Sequence, residues 1–219
     1  MINKIKTLID KKFPLTEIDC GEFRRMKVGG MDFNVSAYKA EGLGHVSVMT
    51  AKGFFGLMKM DTLIINPTEL DLPLYSYDRI FAMGNDTLIV ELYDTLSGSF
   101  SEEKMNEVKS RESYSAIPER DPGEHWYDSI KLPSSISKKG GKKHFDLIES
   151  LAESHFEAYL ASNSSVVSDS EAKEAKQLKS RAYVNGLLQK GGPSTDVFKK
   201  NLGPDKTKIL FENFLFGTK

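Results

Sequence analysis

The chain has 219 residues, and its 30 basic residues against 31 acidic ones give a formal net charge of −1. That length, with 39% hydrophobic residues and 13 phenylalanines, is enough for one fairly large domain with an aromatic-rich core. The charge balance lacks the basic excess of a general nucleic-acid binder, although a local basic patch is compatible with it. We therefore expect a single domain over residues 1–219, strand-rich over 20–95 and helix-rich over 100–219, without a nucleic-acid partner.

Cys20 is the single cysteine, so the chain can form neither an intrachain disulfide nor a cysteine metal cluster. Residues 1–10 have the apolar spacing of a short amphipathic helix and lack the features of a secretory signal or a transit peptide. No run of about 18 apolar residues predicts a transmembrane helix. We therefore expect a cytoplasmic protein without a membrane partner, and we expect it to be a monomer.

The first half of the chain alternates between apolar and polar residues, as strands do. Gly29 and Gly30 fit a two-residue hairpin turn, residues 53–56 break the alternation, and residues 84–86 signal another hairpin. This series predicts an antiparallel meander of six strands. The predicted strands are 23–28, 31–40, 45–50, 59–66, 77–83 and 87–94.

In the second half of the chain, apolar residues recur at the spacing typical of helices. Strands followed by helices predict an α+β domain with helices packed on a central sheet. Ser168 and Glu171 resemble a capping box that opens a long helix. Residues 191–193, with two glycines and a proline, end it, and residues 117–123 and 135–143 read as loops. The predicted helices are 102–109, 144–161, 171–189, 195–202 and 205–216.

Asp78 is the most informative residue, because it lies within residues 72–83, a segment that otherwise reads as a buried strand. Strand alternation puts Asp78 on one face with Ile80 and puts Arg79 on the other. Apolar surroundings raise the pKa of a carboxyl, and an acid that stays protonated near neutral pH is a useful proton donor. The residues also allow the more common structural role, in which Asp78 pairs with a basic side chain or caps a loop.

Two other acidic residues have weaker cases for a functional role. Asp61 precedes the apolar run 62–65, where an exposed strand end is the simpler interpretation. Glu91 alternates with Tyr93, and a solvated edge position or an ion pair with Arg79 is favoured over catalysis.

The remaining polar motifs do not define a familiar site. The four histidines lack metal-ligand spacing, so we expect no metal site. His45 opens a strand and can donate a proton within a pocket, although a structural role is favoured. The lysines around Gly140 and Gly141 read as a solvated loop, with docking of an anionic ligand or acidic protein as the alternative. No dinucleotide fingerprint, P-loop or nucleophile elbow is present.

Several stretches, in the same order along the chain, resemble the ferredoxin-dependent bilin reductases and their relatives, the red chlorophyll catabolite reductases. Residues 72–80, with a proline before a strand that carries Asp78, are similar to that family's catalytic strand, and residues 87–94 follow as its next strand does. The matching stretches have the order and spacing expected of a divergent member of this family, and together they cover about residues 45–219. The other matching stretches are 117–119 with 126–129, 156–160, and a C-terminal pattern over 183–217.

The resemblance implies a three-layer α/β/α sandwich, with a linear tetrapyrrole such as biliverdin between the central antiparallel sheet and the C-terminal helices. It implies no metal and no flavin, with electrons from reduced ferredoxin. Asp78 matches the family's proton-donating aspartate, with His45 or Asp61 as a second polar group. Basic side chains such as Arg79 and the lysine loop are expected to attract the substrate's propionates or ferredoxin. Gln189 and Lys190, within the C-terminal pattern, are further candidates for substrate binding.

The departures from the family leave two functions open. Many members have a glutamate and a histidine on the two strands before the aspartate, whereas this chain has residues 45–49 (HVSVM) and 59–61 (KMD) there. Lys190 and the glycines and proline after it replace a polar cluster at the penultimate-helix turn. The first hypothesis is therefore a ferredoxin-dependent reductase of a linear tetrapyrrole. The alternative is a non-catalytic tetrapyrrole-binding protein on the same fold.

Overall fold

The computed structural model describes residues 2–98, 100–162, 164–192 and 194–219, so Met1 and Pro193 of the predictions above lie outside the described residues. Its central element is an antiparallel sheet to which these ranges contribute eight strands. The strands are β1 (Leu15–Ile18), β2 (Arg25–Val28), β3 (Met31–Ala40), β4 (Gly44–Gly53), β5 (Met58–Pro67), β6 (Leu74–Ala82), β7 (Asn85–Tyr93) and β8 (Ile136–Gly141). Their order across the sheet is β1-β3-β4-β5-β6-β7-β8, and β2 also pairs with β3.

The six predicted strands are confirmed as β2 to β7, whereas β1 and β8 were not predicted. The prediction of a loop over 135–143 is wrong, because residues 136–141 pair with β7. Lys138 is only 1% exposed there, and its ammonium group donates to the Ile117 carbonyl and to Glu119, at 3.0 and 2.5 Å. Tertiary pairing therefore overrides the glycine and lysine composition, which by itself is typical of a loop.

The hairpin between β6 and β7 is one residue earlier and tighter than predicted. Ala82 pairs with Asn85, so the turn consists of Met83 and Gly84 alone. Both have positive φ, at 50° and 74°, which is the backbone of a two-residue primed turn. This shift changes which residues of β6 and β7 lie opposite each other.

The helices follow the predictions closely. The N-cap of α5 is Asp169, whose carboxylate accepts from the Ala172 amide at 2.9 Å, so the predicted cap at Ser168 is wrong by one residue. Gly191, with φ of 85°, follows the last residue of that helix. The helices are α1 (Ile2–Lys12), α2 (Glu103–Lys109), α3 (Glu112–Ser115), α4 (Phe145–Ala161), α5 (Ser170–Lys190), α6 (Thr195–Leu202) and α7 (Pro204–Ile209), which continues into a π-helical turn, Leu210–Leu215.

Two hydrophobic cores lie on the two faces of the sheet, which confirms the predicted α+β fold with three layers. The first face, here called the α4 face, is covered by α1, α2 and α4. The second, here called the C-terminal face, is covered by α5, α6 and residues 204–216. Tyr75 and Tyr77 of β6 belong to the first core, whereas Leu74 belongs to the second, as strand alternation requires.

Hydrogen bonds from the sheet hold the end of the chain on the C-terminal face. His45 Nε2 lies 2.8 Å from the Phe214 carbonyl oxygen, and it carries the ring proton because a carbonyl only accepts. Ser47 and Asn66 donate to the next two carbonyls, at 2.7 and 2.8 Å. Gly217 packs so closely on the His45 ring that a Cβ there would lie 2.2 Å from it. These contacts fix where the C-terminal segment covers the sheet.

A buried ion pair holds α5 against the same face. Lys176, 1% exposed, lies 3.2 Å from the Asp71 carboxylate and donates to the Leu72 carbonyl at 2.9 Å. Asp71 also accepts from the amides of Ser97 and Gly98. The pair therefore joins α5 to the segments before β6 and after β7.

None of the helices in the described part of the chain has the length and apolar character that a membrane-crossing segment needs.

Lys176→Met is expected to lower the free energy of unfolding by about 3 kcal/mol, because it leaves the Asp71 carboxylate buried without its cation. Lys173→Met, an exposed position on the same helix, is the control and should change it by less than about 0.5 kcal/mol. Urea denaturation followed by circular dichroism measures both values. Equal losses in the two variants would contradict the role given to the pair.

Candidate functional site

The position of Asp78 follows from the alternation of β6. Arg79 and Phe81 point to the α4 face, where Phe81 packs on Phe145 of α4 with ring centroids 4.5 Å apart. Asp78 points to the opposite, C-terminal face, as predicted. Thr62 of β5 is its cross-strand neighbour there.

The C-terminal face is closed at one end and partly open at the other. Ile64, Leu74 and Tyr93 are buried under the helices. The side chains around Asp78, by contrast, are only half-buried, although they belong to central strands. These half-buried residues are Met58, Met60, Ser76, Ile80, Ala82, Thr87 and Ile89. We call this open part of the face the Asp78 cleft.

One side-chain hydrogen bond holds the Asp78 carboxyl, and the charge that acts on it is that of Glu91. The Thr62 hydroxyl donates to its Oδ1. Burial raises the pKa of Asp78 to about 6; the Thr62 hydrogen bond lowers it somewhat, and the charge of Glu91 raises it further. At neutral pH a fraction of the carboxyls is therefore protonated, so Asp78 can both donate a proton and recover one.

Glu91 lies on the same face as Asp78, so the ion pair with Arg79, one of the two structural roles expected for Glu91, is wrong. In the observed register Asp78 lies opposite Ile89, so Glu91 is at a diagonal position, about 7–8 Å away. Glu91 accepts from the Tyr93 hydroxyl at 2.6 Å and lies 3.7 Å from the Lys131 ammonium. It therefore acts on Asp78 through its charge rather than through contact.

A group of aromatic side chains lies between the closed end of the face and Asp78. Tyr93 packs on Tyr183 of α5 with ring centroids 4.2 Å apart and meets Tyr127 edge-on at 5.6 Å. Trp126 packs against α5 at Gly186, where a Cβ would lie 2.1 Å from the indole, so only glycine fits. Trp126 is half-buried, whereas the three tyrosines are at most 5% exposed, so the indole is the ring of this group that a flat conjugated ligand can contact.

Arg79 and Asp61 do not lie with Asp78, although the sequence grouped all three as candidates. Asp61 pairs with Arg79 across β5 and β6, which puts both on the α4 face. Arg79 forms ion pairs with Asp86 and Glu149, at 2.7 and 3.0 Å. Burial raises the pKa of Asp61, and the Arg79 charge opposes that shift. The sheet itself separates these two side chains from the Asp78 cleft, so we do not include them in the proposed site.

His45 shares the face of Asp78 but lies at its closed end. It pairs with Asn66, four residues along β5 from Thr62, which corresponds to about 13 Å. Burial lowers the pKa of His45, and its Nε2 already binds the Phe214 carbonyl. A separate cleft of about 520 Å³ adjoins His45 and Arg181, and Asp78 is not part of its lining. The geometry therefore favours the structural role for His45.

Two basic side chains adjoin residues next to the Asp78 cleft, Lys190 at Trp126 and Arg120 at Ser137. Lys190, one of the predicted binding residues, has its ammonium 5.0 Å from the Trp126 ring centroid. Arg120 was missed by the sequence reasoning; its guanidinium donates to the Ser137 hydroxyl at 3.3 Å, and Ser137 lies opposite Ile89. Only the pairing of β8 puts Arg120 there, so no local sequence signal identifies it. Gln189, the other predicted binding residue, is exposed at the end of α5.

Within the described ranges, no group of three or more histidine, cysteine, aspartate or glutamate side chains is arranged to hold a metal ion.

The fold has a counterpart among solved protein structures. A solved structure with TM-score 0.79, phytochromobilin synthase from tomato in complex with biliverdin, aligns with 99% of this chain and 82% of its own. The two sequences are 14% identical, so the likeness shows a shared fold. No protein-family model and no curated protein sequence matches the chain.

The raised pKa of Asp78 predicts a pH-dependent stability. The unfolded carboxyl titrates near 3.8 and the folded one near about 6, so the favourable contribution is complete below about pH 4 and is lost as the pH rises through 6. Asp78→Asn should therefore raise the free energy of unfolding by roughly 2–3 kcal/mol at about pH 8, relative to its effect at about pH 4. Urea titrations at both pH values measure this difference. If Asp78→Asn changed the free energy of unfolding equally at both pH values, the pKa of Asp78 would not be raised in the folded protein.

Glu91→Gln is expected to lower the pKa of Asp78, because it removes the negative charge on the same face. Carboxyl carbon chemical shifts, followed by NMR during an acid titration, report that pKa directly. Glu149→Gln on the α4 face is the control and should leave it unchanged, since the sheet lies between. An unchanged Asp78 midpoint in Glu91→Gln would show that the two groups do not interact.

Proposed function

We propose that the protein binds a linear tetrapyrrole of the biliverdin type in the Asp78 cleft and reduces it with electrons from ferredoxin. Asp78 is the proton donor in this proposal. The observation that carries it is a carboxyl with a pKa of about 6 on the partly open sheet face. Support comes from the shared fold with a protein whose structure contains biliverdin.

The reaction fits a site with one acid of intermediate strength. Reduction of one double bond adds two electrons and two protons to the tetrapyrrole. Two reduced ferredoxins each give one electron and become oxidised. A proton from Asp78 neutralises the charge that the first electron adds, which makes the second transfer more favourable. Asp78 then recovers a proton from water, and water reaching the half-open cleft supplies the other proton.

The neighbouring side chains have distinct roles in this proposal. The half-buried Trp126 provides a flat surface against which a pyrrole ring can pack, and Tyr127 and Tyr183 are buried behind it. Arg120 and Lys190 are positioned to pair with the propionate groups of the ligand. Burial, with a further contribution from the charge of Glu91, keeps the pKa of Asp78 high, so that the donor stays partly protonated at neutral pH.

A non-catalytic tetrapyrrole-binding protein is the second candidate. Binding needs the aromatic surface and the basic groups, whereas reduction also needs proton transfer. The hydrogen-bonded position of His45 favours this alternative, because it leaves Asp78 without a histidine beside it. One experiment distinguishes tetrapyrrole reduction from tetrapyrrole binding alone.

The test adds biliverdin and then, under anaerobic conditions, a reduced ferredoxin system, with the visible spectrum as the readout. The wild type should shift the biliverdin spectrum and then convert it to product. Asp78→Asn should bind biliverdin but turn it over at least about 100-fold more slowly, the usual scale of a lost general acid. The wild-type rate should fall as the pH rises above about 6, since the proton is then lost from Asp78.

Asp61→Asn is the matched control, an acidic residue on a neighbouring strand that points to the other face. It should leave both binding and turnover unchanged. A wild-type spectrum that shifts without progressing to product would favour the binding protein. Turnover that is equal in the wild type and Asp78→Asn would reject Asp78 as the donor, and no spectral shift at all would reject both functions.

A further inference from the structure

Four large apolar side chains are exposed together at one end of the sheet. The β4–β5 turn carries Phe54, Phe55 and Leu57, which are 58%, 108% and 72% exposed. Met83, in the turn between β6 and β7, is 94% exposed. Met58 pairs with Ala82, so the two turns lie side by side on adjacent strands. We call these four residues the apolar tip.

Folding does not account for these residue types. Phe54, Phe55 and Met83 have φ values of 50°, 55° and 50°, a region that is unfavourable for any side chain with a Cβ. In the described part of the chain, they are the only residues other than glycine with positive φ. Glycine or asparagine would relieve this strain, and a polar residue would avoid the exposure. Strain and exposed apolar surface at the same three positions indicate a contact outside the chain.

Lysines surround the apolar tip. Lys52 and Lys59 are directly opposite each other in β4 and β5, an arrangement of like charges that is unfavourable within a sheet. Lys142 and Lys143 follow the end of β8, where Gly141 pairs with Asn85 beside the Met83 turn. These four lysines are exposed. The exposed acidic neighbours at this end are Asp32, opposite Lys52, and Asp146 at the start of α4. Asp61, which is half-buried, lies on the same face as Lys52 and Lys59 and offsets part of their charge. Among the exposed side chains named here, basic groups are therefore in excess, although the whole chain has a net charge of −1.

We propose that the apolar tip and its lysines are a docking surface for an anionic membrane. The apolar side chains insert between lipid headgroups, and the lysines pair with acidic headgroups beside them. Charge complementarity supports an anionic partner, and the shape supports a lipid one. Phe55 and Met83 project from narrow turns rather than forming a flat or concave patch, and a fluid interface can enclose such projections from all sides. The proposal does not depend on a tetrapyrrole ligand, and it differs from the sequence-based expectation of no membrane partner.

Sedimentation with lipid vesicles tests the proposal on the full chain. The wild type should bind vesicles of phosphatidylcholine mixed with phosphatidylglycerol, bind pure phosphatidylcholine vesicles far less, and be released by salt. Phe55→Ser should weaken binding to the anionic vesicles about tenfold, the usual effect of losing one buried aromatic side chain. Lys52→Gln and Lys59→Gln should each weaken it about fivefold.

Matched controls lie on other surfaces of the molecule. Leu178→Ser removes an exposed leucine from α5, and Lys173→Gln removes an exposed lysine from the same helix; neither should change vesicle binding. Phe55→Trp adds an indole at the apolar tip, and its fluorescence should shift to shorter wavelength with anionic vesicles. Leu178→Trp, with the same Trp126 background, should show no such shift.

Three outcomes would overturn the proposal. The first is a wild type that does not bind anionic vesicles. The second is binding that Phe55→Ser and Leu178→Ser affect equally. The third is loss of self-association or of binding to an acidic protein in Phe55→Ser without any vesicle binding, which would assign the surface to a protein partner instead. Thermal unfolding of each variant confirms that the exposed substitutions leave the fold intact.

Discussion

The antiparallel register of β5, β6 and β7 determines which side chains of the sheet can act together. Asp78 and Arg79 are adjacent in the chain, yet the sheet separates their side chains. On the α4 face, Arg79 is neutralised by Asp86 and Glu149 in an arrangement that stabilises the core. On the C-terminal face, burial raises the pKa of Asp78, the Thr62 hydrogen bond opposes that shift, and the negative charge of Glu91 adds to it. The same strand therefore supplies a structural ion pair to one layer and a candidate acid to the other.

The way in which the C-terminal face is covered makes that acid usable. At the closed end, three polar side chains hold the carbonyls of residues 214–216, and Lys176 holds α5 in place. This anchoring leaves the other end of the face half-open, so that Asp78 is desolvated enough to keep a proton yet close enough to solvent to replace it. His45 belongs to the anchor and not to the cleft. The hairpin turns beyond the cleft carry the exposed apolar tip, so the proposed ligand site and the proposed membrane contact are at the same end of the sheet.

Most elements of the fold could be predicted from local patterns, and the errors have specific physical causes. The β6–β7 turn was predicted at residues 84–86, which would place Glu91 opposite Arg79; the observed two-residue turn places Leu88 there instead. A small error in one turn thus changed the predicted partner of a charged residue. Residues 136–141 were predicted as a loop because their glycines and lysines disfavour a strand, but pairing with β7 stabilises them. The position of Arg120 depends on that pairing. Tyr93, Tyr127 and Tyr183 come together through contacts between segments far apart in the chain, so neither feature could be predicted locally.

The sequence by itself determined strands β2 to β7 and most of the helices, the alternation that puts Asp78 among apolar neighbours, and the apolar turn residues 54–57. These depend on side-chain spacing and turn chemistry within a few residues of each other, which is information that a single chain carries locally. Only the tertiary structure decided that Glu91, rather than Asp61, shares the face of Asp78, and that His45 holds the C-terminal segment. Those outcomes depend on register and on which helices cover which face, and both are set by contacts between residues far apart in the chain.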